Sequence, residues 1–160
     1  MEGEGLTIIS DSLAQTQELG IVLGKLLEGQ EIICLEGELG TGKTSLIQAI
    51  GRAKGVREPI TSPTFTLVNE YHGTHVSLHH VDLYRLESAE EIVQAGIDAC
   101  FYGESICLVE WAEKARSILP AEHLYITLAH GGGDRRHITV QARGDSYRRL
   151  VDHLKDSMGF

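Results

Sequence analysis

Apolar and polar positions follow two different periods along this chain, and the points where the period changes predict its elements. Residues 6–9 form a short apolar run that predicts a strand. Ser10, Asp11 and Ser12 then offer helix N-caps before Leu13, Leu19, Leu23, Leu26 and Leu27, which fall near a 3.6-residue period. Gly29 closes that helix. Residues 31–35 include Ile32, Ile33, Cys34 and Leu35, an unbroken run of the kind carried by strands buried on both faces. A glycine-rich turn follows, and then a helix over residues 43–53 with Leu46, Ile47 and Ile50 on one face. Buried strand, glycine turn and helix in that order indicate an α/β fold.

The middle of the chain reads differently. Residues 65–71 and 76–81 both predict strands, and the four residues between them are too few for a helical crossover. They predict an antiparallel hairpin. Ser88, Ala89, Glu90 and Glu91 make a capping box that opens a short helix ended by Gly96. Residues 105–109 suit another interior strand, and residues 124–129 and 137–142 flank Gly131, Gly132 and Gly133 as a second hairpin. A last helix starts at Asp145 and runs to about Leu154. The expected architecture is one mixed sheet, parallel near the glycine turn and antiparallel elsewhere, flanked by helices on both faces.

Composition narrows the class. The chain has 160 residues, 42% of them hydrophobic and 23% charged, which fits one soluble globular domain spanning residues 1–160. A chain of this length buries roughly 70% of its unfolded surface and needs no disulfide or metal to hold a core. Its net charge of −9 excludes attachment to nucleic acid or an anionic membrane by overall charge. The last thirty residues are mildly basic, a pattern equally suited to a solvated helix face or to contact with an acidic partner. Cys34, Cys100 and Cys107 are odd in number and lack CxxC spacing, which argues against a disulfide scaffold or zinc knuckle. The acidic start, Met1 to Gly5, has no signal-peptide layout, and no apolar stretch nears the roughly 18 residues of a membrane span. A reduced, cytoplasmic protein is expected.

The glycine turn carries the chemistry. Gly37, Gly40, Thr41, Gly42, Lys43 and Thr44 lie in a segment that fits GxxxxGK[ST] at every fixed position, the phosphate-binding P-loop pattern. Glycines let the main chain wrap a phosphate with its N–H groups turned inward. Lys43 supplies charge for the β- and γ-phosphates, the Thr44 hydroxyl can ligate Mg²⁺, and Ser45 offers its N–H to the α-phosphate from the start of a helix whose positive end faces the anion. Such a site also needs a carboxylate at the end of a neighbouring strand. Glu110, which closes the apolar run 106–109, is placed for that, or it marks where the strand meets solvent. Asp82, after the strand 76–81, is the second candidate, with a turn aspartate as its alternative. The hydroxyl-rich loop 61–66 is ambiguous by itself. The histidines of the first hairpin do not predict a metal site, because adjacent strand residues face opposite sides and no cysteine cluster supports them.

Taken together these segments resemble the TsaE (YjeE) family of small bacterial ATPases. The resemblance rests on the P-loop through Ser45, on residues 62–71 as a switch-like segment, on His80-Val81-Asp82-Leu83-Tyr84-Arg85, and on Val109-Glu110-Trp111. It spans residues 6–142. It implies a P-loop NTPase fold, ATP and Mg²⁺ as ligands, and a role beside TsaB and TsaD in making threonylcarbamoyladenosine next to the anticodon of ANN-decoding tRNAs, with tRNA met only through that complex. By the same resemblance Thr44 and Glu110 bind Mg²⁺, Lys43 binds phosphate, Asp82 assists hydrolysis and stands with the metal ligands, and Trp111 sits by the nucleotide. Thr16 and Arg136 flank it. Two other functions share a P-loop: a small-molecule kinase, which needs an acceptor pocket and an arginine-bearing lid, and a nucleotide-gated binding module with negligible turnover.

Overall fold

A computed structural model of the chain describes residues 5–63 and 65–159. The acidic residues 1–4, Thr64 of the hydroxyl-rich loop, and Phe160 lie outside the described residues. In chain order the elements are β1 (Gly5–Ser10), α1 (Leu13–Leu26), β2 (Ile32–Glu36), α2 (Lys43–Ala53), β3 (Val68–His72), β4 (Ser77–Asp82), α3 (Ala89–Gln94), β5 (Ile106–Glu110), β6 (His123–His130), β7 (Arg136–Arg143) and α4 (Asp145–Met158). Short 3₁₀ turns cover Ile97–Tyr102 and Ala112–Ala115. Among the described residues no helix is long and apolar enough to cross a membrane.

The seven strands form one sheet in the order β1-β7-β6-β2-β5-β4-β3. β2 pairs in parallel with both β5 and β6, and β4 in parallel with β5. The two hairpins β3–β4 and β6–β7 are antiparallel, as is β1 against β7. One mixed sheet is therefore what the chain builds. β3 begins at Val68, three residues later than the apolar pattern suggests. The reason is local. Leu67 adopts φ 69°, and its N–H donates to the Pro63 carbonyl at 2.7 Å, so Phe65 and Thr66 lie in a turn.

One core lies between the sheet and helices α1, α2 and α4, joining Leu19, Leu23, Leu46 and Ile50 to Ile33, Leu35, Leu108, Ile126 and Val140. α1 and α2 approach closely because Gly20 and Gly24 present no side chain; a Cβ at either would come within 2.6 or 2.7 Å of the methyl of Ala49 or Ala53. The opposite face is covered over β4, β5 and β2 by Ile92, Ile97, Phe101, Ala112 and Ala115. Cys34 and Cys107 are buried in this second core as small apolar groups, and burial pushes the Cys34 thiol up to about 12.

Candidate nucleotide-binding site

The parallel strands β2, β5 and β4 all end at the same edge of the sheet, and the polar residues that terminate them meet there. This is where doubly wound sheets hold ligands. The P-loop leaves β2 and enters α2 at Gly42, whose φ of 103° requires glycine. With glycine at this N-cap there is no capping side chain to occupy the first-turn N–H groups of α2, the arrangement that receives a phosphate. Gly37 has a different constraint: a Cβ there would lie 2.5 Å from the Leu128 carbonyl oxygen of β6. Thr41 braces the loop, its hydroxyl donating to the Glu38 carbonyl at 2.8 Å.

Lys43 opens α2 and is only 5% exposed. Its ammonium donates to the Gly37 carbonyl and lies 3.9 Å from the centre of the Trp111 ring. Burial lowers its pKa, while the negative charges of Glu110, Glu113 and Asp82 work the other way. Trp111 itself takes φ 60°, uncommon for a bulky residue, and this turn sets its ring over the lysine and 5.1 Å from that of Tyr84.

Asp82 and Glu110 stand side by side in parallel register at the ends of β4 and β5. Both are buried, at 5% and 3% exposure. Asp82 accepts hydrogen bonds from the Ser62 hydroxyl and the Tyr84 N–H, each at 2.9 Å. Glu110 Oε1 accepts from the Thr44 hydroxyl at 3.4 Å, and its Oε2 lies 2.6 Å from His80 Nε2. Two acidic groups this close repel each other unless a cation comes between.

These groups line a cleft of about 520 Å³, within the usual range for small-molecule sites. Gly40, Thr41, Gly42, Lys43, Thr44, Ser45, Asp82, Glu110 and Trp111 are brought together on its walls. Thr16 and Arg136 line it too. The Thr16 hydroxyl is engaged with Ser10 Oγ at 2.7 Å, and Arg136 donates to the Gly40 carbonyl at 3.2 Å. Gly37 is set behind the cleft rather than on its surface, where its lack of a side chain allows the approach of Leu128.

The residues fit a magnesium–nucleotide ligand. Two carboxylates and a hydroxyl are a sparse set of hard oxygens, suited to a cation that keeps several waters and takes others of its ligands from phosphate. Among the described residues no three His, Cys, Asp or Glu side chains are grouped to hold a metal. His72 and His79 lie instead beside Glu70, at 3.7 and 3.5 Å.

Two residues that the sequence places in motifs, without a role of their own, belong to this site. His80 and Ser62 each contact a cleft carboxylate from outside the P-loop. The period of two along β4 puts His80 on the same face as Asp82; Ser62 opens the switch-like segment, but nothing local in the sequence aims its hydroxyl at Asp82.

The profile of a family described as threonylcarbamoyl adenosine biosynthesis protein TsaE matches residues 10–138. A protein of Treponema pallidum named tRNA threonylcarbamoyladenosine biosynthesis protein TsaE is 40% identical over 132 residues, 82% of this chain and 97% of its own length. Its namesake from Bacillus subtilis is 35% identical over 140 residues, 88% of this chain and 87% of that one. The crystal structure of YdiB from Bacillus subtilis superposes with a TM-score of 0.84 at 29% identity, covering 98% of this chain and 97% of that one. With this likeness, the α/β sheet described above is a P-loop NTPase fold.

Proposed function

The chain belongs to the TsaE family, and from that premise we propose that it is a P-loop ATPase of tRNA threonylcarbamoyladenosine biosynthesis, acting as one domain in the cytoplasm. It binds and hydrolyses Mg-ATP in support of TsaB and TsaD, which form threonylcarbamoyladenosine at position 37 of tRNAs decoding ANN codons. It meets tRNA only through that assembly. The observation that carries this reading is the pair of adjacent strand-end carboxylates, Asp82 and Glu110, facing Thr44 and Lys43 across the mouth of the glycine loop.

Each residue has a task in that chemistry. Loop N–H groups, with those of Thr44 and Ser45, surround the phosphate chain, and Lys43 leaves its loop carbonyl to pair with β- and γ-phosphate oxygens. Thr44 and Glu110 hold Mg²⁺, with Asp82 beside them; the ion, when bound, neutralises charge on the phosphates. Asp82 orients the attacking water. Trp111, Thr16 and Arg136 flank the nucleotide. Among the described residues Arg136 is the one arginine lining the cleft, which supports a hydrolase over a kinase with an arginine-rich lid.

The test is ADP release by the purified protein with TsaB and TsaD and without added acceptor. Turnover is expected with the parent chain, and the substitution Glu110→Ala should lower it by about 10²-fold or more at a temperature where the variant is still folded. Equal turnover in that variant refutes the assignment of Glu110. ADP formed only with an acceptor molecule indicates a kinase, and tight ATP binding with no ADP in the full mixture indicates a nucleotide-gated module.

A further inference from the structure

Of the two strand-end carboxylates, Glu110 is the one held from behind by a ring. His80 is fully buried, and its Nε2 lies 2.6 Å from Glu110 Oε2. Its other nitrogen, Nδ1, is buried with no hydrogen-bond partner among the described residues. A leucine would fill such a place without leaving a polar atom unsatisfied. Among the described residues the hydrogen bond this ring makes goes to the strand-end carboxylate.

The sheet dictates the contact. His80 and Asp82 are two residues apart on β4 and so share a face. β4 runs parallel to β5 with Asp82 opposite Glu110 and His80 opposite Leu108. His80 therefore sits one step back along the diagonal from Glu110, below the rim of the cleft. With the hydrogen on Nε2 the ring donates to Oε2, and the carboxylate is left with Oε1 directed at the Thr44 hydroxyl, 3.4 Å away.

We propose that His80 is a positioning residue for the cation: by engaging Oε2 it fixes the Glu110 carboxylate in the single orientation that presents Oε1, next to Thr44, to the Mg²⁺ of the incoming nucleotide. His80 touches neither nucleotide nor ion. Without it a carboxylate on three rotatable bonds samples several orientations, and each binding event has to select one. The proposal rests on the reading of Glu110 as a magnesium ligand.

The experiment titrates Mg²⁺ into protein and ATP, following binding by calorimetry, with a parallel series in EDTA. His80→Leu removes the donor and keeps bulk; His80→Gln restores an amide nitrogen at the Nε2 position; His80→Asn places its amide too short to reach. The Leu and Asn variants should raise the half-saturating Mg²⁺ concentration about 10- to 100-fold, the usual cost of losing a partner behind a metal ligand. Affinity for metal-free ATP should hold, and Gln should recover most of the loss. A ring that only filled space would not couple Mg²⁺ to the Gln–Asn difference. If His80→Leu does not fold, that Gln–Asn pair decides. Parental Mg²⁺ dependence in all folded variants overturns the proposal and leaves the ATPase reading standing. A parent chain whose ATP binding ignores Mg²⁺ overturns both.

Discussion

The two ends of the sheet solve different problems. Across β2, β5 and β4 the strands run parallel and are covered on both faces, so every residue of β5 is buried. Across β6, β7 and β1 they run antiparallel, and β1 alternates strictly between exposed and buried positions. Parallel strands all finish at one edge, so the residues that end them converge; a hairpin sends successive ends to opposite edges. That difference explains why Asp82, Glu110 and the glycine loop share a cleft, while the antiparallel end adds Asp134 and Arg136 at its rim and the Leu128 carbonyl that packs against Gly37. Chemistry is concentrated at the parallel end, and the antiparallel end serves as its buttress.

The largest expected effect comes from removing the buried cation of the parallel end. Lys43→Ala deletes the one ammonium that lines the loop among the described residues, and should cut ATP turnover by about 10²–10³-fold, the scale of losing one preorganised charge-stabilising donor. The melting temperature should change little, because the ammonium's own bonds are to loop carbonyls. Retained turnover would remove the phosphate-binding role from this loop.

A cavity at the antiparallel end should do the reverse. Ile138 on β7 is fully buried, opposite Leu128 of β6 and Ile8 of β1. Ile138→Ala should destabilise the fold by about 2–5 kcal/mol in urea unfolding and leave ATP affinity of the folded protein near the parent value. A tenfold loss of affinity in that variant would show that the two ends are mechanically coupled rather than separate in function.

Legibility in the sequence divides along similar lines. Unbroken apolar runs at residues 32–35 and 106–109 announce the interior parallel strands, and the glycine pattern between a strand and a helix announces the P-loop, because both depend on neighbours in the chain. Lys43 and Thr44 are legible from the glycine pattern, and Asp82 and Glu110 as carboxylates at the ends of strand-like runs. Their register was not. That Asp82 lies opposite Glu110, or that His80 reaches Oε2 of a residue 30 positions away, depends on which strands become neighbours, and no local pattern encodes that. Phe65 reads as the start of a strand because it is aromatic, yet the positive φ of Leu67 puts it in a turn, where it is 83% exposed beneath the Arg85 guanidinium. The 3₁₀ turn over Ile97–Tyr102 has no signal in the local pattern either, since two buried residues, Ile97 and Phe101, decide its packing without a helical repeat.

The smallest effect probes the seam between the two ends. Glu36 closes β2 in register with Thr127 of β6, and Glu113 lies in the turn that follows Trp111. Burial first, and then the neighbouring Glu36 carboxylate, pushes the Glu113 pKa up from 4.5 to about 6. The fold thus favours protonated Glu113. Its stabilisation is complete below pH 4.5 and is lost as pH rises through about 6, leaving an ionised carboxylate at a disadvantage above that. A shift of this size corresponds to about 2 kcal/mol, which screening of a partly exposed group reduces to about 1 kcal/mol. Glu113→Gln is neutral at every pH. It should therefore melt about 2–4 °C above the parent at pH 7.5, and the gap should close towards pH 4.5. Because the Glu113 charge also acts on Lys43, the same variant should lose a small part of the attraction that holds the lysine protonated. A melting gap that stays constant from pH 4.5 to 8 would mean that Glu113 ionises freely and that the seam carries no buried charge.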